Sequence, residues 1–183
     1  MALLVLLVLL VAVALWFVSV YNGLIGLKNQ VVNAWKQIDV QLKRRHDLIP
    51  NLVNTVKGAM NFEKGTLDAV ISARAKAVSA TGVKETARAE GELTQALGRL
   101  FALTEAYPDL KSNANIMALQ EELTSTENKV GFARQLYNDT ATQYNTRQAT
   151  FPTMLVAGLA KATPAELWEI EDAAERSVPV VNL

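Results

Sequence analysis

Apolar residues run from Ala2 to Val20, interrupted only by Ser19. Wound as a helix at 1.5 Å per residue, this stretch spans roughly 28 Å, close to the thickness of the hydrocarbon layer of a bilayer. Trp16 and Tyr21 stand near its end, where amphipathic rings favour the headgroup region. Ala12-Val13-Ala14 imitates a signal-peptide cleavage site, but no Lys or Arg precedes the run and the run continues past Ala14. The pattern therefore predicts a retained single-pass anchor over residues 1–21.

Past the anchor the spacing of apolar residues becomes that of an amphipathic helix. Val31, Trp35, Ile38, Leu42, Ile49, Leu52 and Val56 fall on one stripe, separated by steps of three, four or seven. Arg45 occupies that stripe where an aliphatic residue belongs, so it either snorkels past the core or pairs with a carboxylate on another helix. Glu63 and Glu127 are the candidate partners. Gly23 and Gly26 loosen the exit from the bilayer, yet Leu24 and Leu27 keep the period, and one helix is expected to run on from the anchor. Pro50 removes a donor and leaves the carbonyl of His46 without its partner in the helix. A kink is expected there rather than a reversal, because Leu52, Val53 and Val56 stay in phase. The chain is expected to turn at Gly58-Ala59-Met60-Asn61; a single helix unbroken to Ala80 is the alternative.

Leu67, Val70, Ile71 and Val78 predict a second helix ending near Thr81-Gly82. Ala89, Leu93, Ala96, Leu100 and Leu103 predict a third. Pro108 stops it and pushes Tyr107 toward an extended conformation. Ile116, Leu119, Leu123, Thr126, Val130, Ala133, Tyr137, Thr140 and Tyr144 predict a long fourth helix with a bundle or coiled-coil seam. Asn113 or Asn115 is its expected N-cap. Polar seam residues at Tyr137, Thr140 and Tyr144 predict hydroxyls bonded to neighbouring helices. Phe151-Pro152 ends that helix. The uncharged stretch from Met154 to Leu159 is too short to cross a bilayer and would lie against the bundle or on the membrane surface. Thr163-Pro164-Ala165-Glu166 reads as a capping box opening an acidic helix. No stretch alternates with period two, so the expectation is all-α. The residues divide into an anchor at 1–21, a helical body at 22–150 and a C-terminal segment at 151–183.

Charge sharpens this picture without naming a substrate. Lys and Arg together number 18, as do Asp and Glu, so formal net charge is zero and nothing global points to nucleic acid. The distribution is bipolar. Lys28, Lys36, Lys43, Arg44 and Arg45 precede Pro50, whereas Glu166, Glu169, Glu171, Asp172 and Glu175 crowd the far end. Lys28 and Lys36 flank the anchor on its C-terminal side, and the positive-inside rule then puts the body in the cytoplasm, a periplasmic body being the alternative. Lys43-Arg44-Arg45 would lie roughly 35 Å beyond Tyr21, too far to meet a lipid surface directly. An acidic terminal helix docking on that basic cluster of a second copy is one expected mode of self-association.

Chemistry is sparse. There is no cysteine, which removes disulfides and thiolate catalysis together. His46 is the single histidine, so neither paired Glu-x-x-His motifs nor a His-Glu-x-x-His signature can form. Its neighbours Lys43, Arg44 and Arg45 suggest a headgroup or solvent contact. Phosphate-binding glycine loops and dinucleotide fingerprints are lacking. Glu121-Glu122 and Glu90-x-Glu92 are carboxylate pairs expected to be solvated on helix surfaces. Asp39, with Lys36 and Lys43 at helical distance, is expected to form an ordinary surface pair. No catalytic, cofactor-binding or metal residues are assigned.

Several stretches carry a resemblance. Asn33-Ala34-Trp35, Ile38-Asp39-Val40-Gln41-Leu42-Lys43-Arg44-Arg45, Asp47-Leu48-Ile49-Pro50-Asn51-Leu52-Val53, Glu105-Ala106-Tyr107-Pro108-Asp109-Leu110-Lys111, Tyr137-Asn138-Asp139 and Tyr144-Asn145 resemble the signature of the bacterial LemA family over essentially the whole chain. The resemblance implies an N-terminal anchor followed by an antiparallel helical bundle; with the spacing above, the expectation is an N-terminal transmembrane helix continuing into an antiparallel four-helix bundle, with a short C-terminal helix beyond it. It implies no catalytic residues. The expected role is a non-enzymatic, membrane-anchored scaffold at the bacterial inner membrane. It would hold membrane lipid through residues 2–20, and would self-associate or organise other membrane proteins. An adaptor or accessory subunit of a membrane protease or phosphatase is the alternative.

Overall fold

A computed structural model describes residues 1–59 and 64–169. All regular structure among these residues is helical: α1 Ala2–Ala59, α2 Lys64–Ser79, α3 Val83–Ala106, α4 Pro108–Lys111, α5 Ala114–Ala149 and α6 Met154–Ala157. The protein is all-α, with the long apolar N-terminal helix and the further helices expected from the spacing. Two compact units are present among the described residues, one of Met1–Gln37 with Ala133–Leu167, the other of Ile38–Phe132 with Trp168 and Glu169.

In the second unit, the C-terminal part of α1 packs with α2, α3, α4 and the start of α5. Ile49, Leu52, Val53 and Val56 meet Leu67, Val70, Ala73 and Ala77, then Leu93, Leu97 and Leu100, with Leu110, Ile116 and Leu123 closing the core. Pro50 does not end α1, which stays helical to Ala59. Arg74 Nε donates to the carbonyl of His46 at 2.7 Å, the very group the proline ring leaves without a helical donor. That bond also excludes an unbroken helix to Ala80, which would hold the two residues about 42 Å apart. Of the turn expected at residues 58–61, Gly58 and Ala59 still belong to α1, and the rest lies outside the described set, as does Glu63.

Local punctuation follows the sequence closely. Gly82 takes φ 79°, ψ 167° ahead of α3, a region essentially reserved for glycine that costs other residues about 1–3 kcal/mol. Tyr107 is extended at φ −112°, ψ 110°, and Pro108 opens α4. Asn113, rather than Asn115, caps α5: its Oδ1 accepts from the backbone N–H of Asn115 and Ile116 at 3.0 and 3.3 Å. On α5 the buried stripe passes through Ile116, Leu123, Thr126, Val130, Ala133, Tyr137, Ala141 and Tyr144. The step to Ala141 in place of Thr140 is the drift of a 3.6-residue helix against a 3.5-residue repeat.

In the first unit, α5 runs antiparallel to the N-terminal part of α1. The rings of Trp35 and Tyr137 meet edge to face, with centroids 5.3 Å apart. Gly23, Gly26, Leu27 and Gln30 share a groove with Gln143, Thr146, Arg147 and Thr150. The chain then makes the short α6, leaves it at Lys161 with φ 47°, and returns along α5. Residues 162–169 are not helical, so the capping box at Thr163 does not open a helix there. Asn145 pre-empts the backbone: its Nδ2 donates to Ala165 O, and its Oδ1 accepts from Ala165 N–H, both at 2.8 Å. Tyr137 donates its hydroxyl to Glu166 O at 2.7 Å. These bonds compete for groups that a helix would need for its own ladder. Residues 170–183, most of the expected acidic helix, lie outside the described set.

Candidate functional site

The least ordinary chemistry of the second unit gathers around Arg45. Its stripe position turns the side chain inward, and Arg45 is 3% exposed. A buried guanidinium needs acceptors for its fixed fork of donors. Nη1 donates to Glu90 Oε2 at 2.9 Å, and Nη2 donates to Thr94 Oγ1 at 2.8 Å. Nη2 also stands 3.0 Å from Glu127 Oε2, an ionic contact without the alignment of a hydrogen bond, since that oxygen has no bonded partner. Of the two expected carboxylates, Glu127 is therefore placed beside Arg45.

Glu90 corrects the expectation of a solvated carboxylate pair. It is 2% exposed and accepts from two residues of α1, because His46 Nε2 lies 2.6 Å from its other oxygen. A carboxylate oxygen can only accept, so Nε2 carries the hydrogen. His46 is correspondingly buried, turned to the interior where the basic neighbours had suggested an outward-facing ring. Glu92, by contrast, is at the surface with Lys76 at 2.9 Å. Lys76 holds its carboxyl below the usual carboxylate range, through their hydrogen bond and its charge. Glu122 pairs with Arg44 at 2.8 Å, both half exposed. Thus, of the basic triplet, Arg45 is interior and Arg44 is engaged within the same unit, which leaves Lys43 exposed.

The signal for Glu90 was present but outvoted. Thr86, Glu90, Leu93, Leu97, Leu100 and Thr104 are all buried and follow one another by four, three, four, three and four. A Glu in that series is in phase with the core, whatever its neighbour Glu92 does.

Two clefts flank this cluster. One, of about 200 Å³, is lined by Arg45, Thr94, Leu97, Phe101, Leu123 and Glu127. The other, of about 390 Å³, includes Asp39, Lys43, His46, Asp47 and Arg74. Asp39 pairs with neither Lys36 nor Lys43, contrary to expectation, and partial burial pushes its carboxyl above the ordinary value. Arg45, Glu90, Thr94 and His46 bond one another and Glu127 lies against Arg45, so the cluster pins α1, α3 and α5 together, with Arg74 adding α2. Among the described residues no group of three His, Asp or Glu side chains is placed to hold a metal ion.

The first unit has a second polar feature. Tyr137 is buried and bonds an extended backbone rather than a neighbouring helix. Burial, with the Glu166 charge, raises its phenol above the ordinary value. Tyr144 is also buried, and its hydroxyl has no partner among the described residues. Burial raises its phenol too.

These features define a class: among the described residues, an all-α protein with one helix long and apolar enough to cross a membrane, tied to a further helix by a buried arginine–glutamate pair. More particularly, the chain belongs to the LemA family, whose model matches residues 34–183. It is 29% identical over 143 residues to Protein LemA of Metamycoplasma hominis, across 77% of this chain but only 65% of that protein, which is less than two thirds of its length. It is also 23% identical to Magnetosome proteins MamQ 2 and MamQ 1 of Paramagnetospirillum magneticum, across 86% of this chain and 68% of each relative.

Proposed function

We propose that this protein is a non-enzymatic scaffold, held by α1 in the bacterial inner membrane, which presents its helical body for self-association or for binding other membrane proteins. One observation carries the reading. An 18-residue apolar stretch of α1 has no buried part, so its side chains need an apolar medium other than the protein's own core. Lys28 and Lys36 beyond that stretch favour a cytoplasmic body. The relatives named as magnetosome proteins support a membrane setting. A non-enzymatic role is favoured because the buried ionisable groups are committed to each other as interhelical ties.

Purification in native lipid particles, followed by mass measurement, tests the proposal. A homomeric particle of several copies supports a self-associating scaffold. Recovery as a single copy with a stoichiometric enzyme would favour the adaptor reading, and a solitary copy would overturn both.

A further inference from the structure

We infer that the outer face of the turn from Phe151 to Leu159 is a second membrane contact, lying in the interfacial layer of the same bilayer that receives residues 2–20. This rests on the anchor reading above and goes beyond it.

All the residues concerned belong to the first unit. The groove that joins Gly23 and Gly26 to Thr146, Arg147 and Thr150 puts the end of α5 beside the place where α1 leaves its apolar run. Cover continues further toward Met1. A bare helix leaves Val18 52% exposed, whereas Val20 is intermediate and Leu24 is 2% exposed. Val20 and Leu24 share one face of α1. Within this unit only the segment from Ala133 to Leu167 can cover it, so that segment reaches the level of Tyr21, where headgroups are expected.

The turn itself has two apolar sides. Thr153, Val156 and Ala157 face inward and are buried. Phe151, Met154, Leu155 and Leu159 are 76%, 52%, 62% and 70% exposed. Met154 and Leu155 lie on α6, Phe151 and Leu159 in the turns that flank it, and no charged residue interrupts Thr150 to Ala160. At that height the four large apolar side chains would extend the lipid-facing surface of the helix. Arg147 and Lys161 flank them and are exposed, as cations are at the rim of helices that lie in a bilayer interface. Charge and height together favour lipid over a second copy of the chain as the covering partner.

Because the chain has no cysteine, single labels can be placed at will. The full chain carrying Leu155→Cys or Leu159→Cys, modified with an environment-sensitive fluorophore, is reconstituted into vesicles that contain zwitterionic and anionic phospholipids. Quenchers are attached to the lipids at shallow or deep positions. Shallow quenchers are expected to remove most of the emission at 155 and 159. Labels at Val32 and Leu136, also apolar and exposed but further along the same pair of helices from Tyr21, should keep theirs. A label at Leu9 reports the anchor independently and should respond to deep quenchers. Quenching at Leu9 with water-like emission at 155 and 159 overturns the inference and spares the anchor. Blue-shifted but unquenched emission at 155 and 159 that grows with protein density assigns the face to a second copy, and overturns the inference as well. Failure of quenching at Leu9 sinks the anchor reading, and this inference with it.

Discussion

Replacing Glu90 with Gln removes one charge from the interior and changes nothing in volume. In the native cluster Glu90 accepts from Arg45 at 2.9 Å and from His46 at 2.6 Å. Glutamine keeps one acceptor, but turns its amide donors toward whichever donor remains. At about 1.5–3 kcal/mol for a hydrogen bond to a charged group, loss of both would be severe. Removal of one partner of a buried pair typically costs about 3–5 kcal/mol. Glu127 offsets part of this, since it already lies 3.0 Å from Arg45, and its own side chain is 35% exposed and able to turn. The expected loss is therefore about 3 kcal/mol, at the low end of that range. Urea titration of the full chain in detergent, followed by amide hydrogen exchange in α3 and in α1 beyond Ile38, reads it without altering ionic strength. The joint replacement of Arg45 by Met and Glu90 by Leu should cost at least about 2 kcal/mol less than the sum of the single changes. A loss below about 1 kcal/mol for Glu90→Gln, or strict additivity of the pair, would refute the claim that this carboxylate ties the helices together.

Three other outcomes follow from named contacts. Arg74→Met should destabilise by about 1–3 kcal/mol by leaving His46 O unsatisfied; in a Pro50→Ala background, where the helix supplies its own donor, most of that loss should vanish in the same titration. Tyr137→Phe should cost about 1 kcal/mol, because it cuts the bond to Glu166 O, whereas Tyr144→Phe should be neutral or stabilising, because it removes a hydroxyl that is buried without a partner; hydrogen exchange at residues 163–167 separates the two. Asp39 has its carboxyl raised by burial, so its folded form holds the proton more tightly than the unfolded chain. Its contribution is present at low pH and lost as pH rises through that elevated value, and Asp39→Asn should remove this part of the pH dependence of stability.

Much of the architecture could be read from local rules. The length of the apolar run, the orphaned carbonyl before Pro50, the extended Tyr107 and the cap at Asn113 each depend on a few adjacent residues. Arg45 was legible as an intruder on an apolar stripe, yet only one of its carboxylates could be named, because Glu90 looks like half of a surface pair until its phase with Leu93 and Leu97 is counted. The partner of the His46 carbonyl lies 28 residues away on α2, and no local pattern points to it. At Thr163 the local rule failed outright. The capping signal is intact in sequence, but Asn145 and Tyr137, distant along the chain, take backbone groups that the helix would have used.

That clasp holds main-chain atoms alone at Ala165 and Glu166, through one amide side chain and one phenol. Neither hydrogen bond engages the side chain at 165 or 166, so both can survive a change there that keeps the backbone course and the N–H at 165. The strap can therefore drift in composition across descendants of this sequence while its course along α5 stays fixed, and inheritance at this place is written in Tyr137 and Asn145 rather than in the strap they hold.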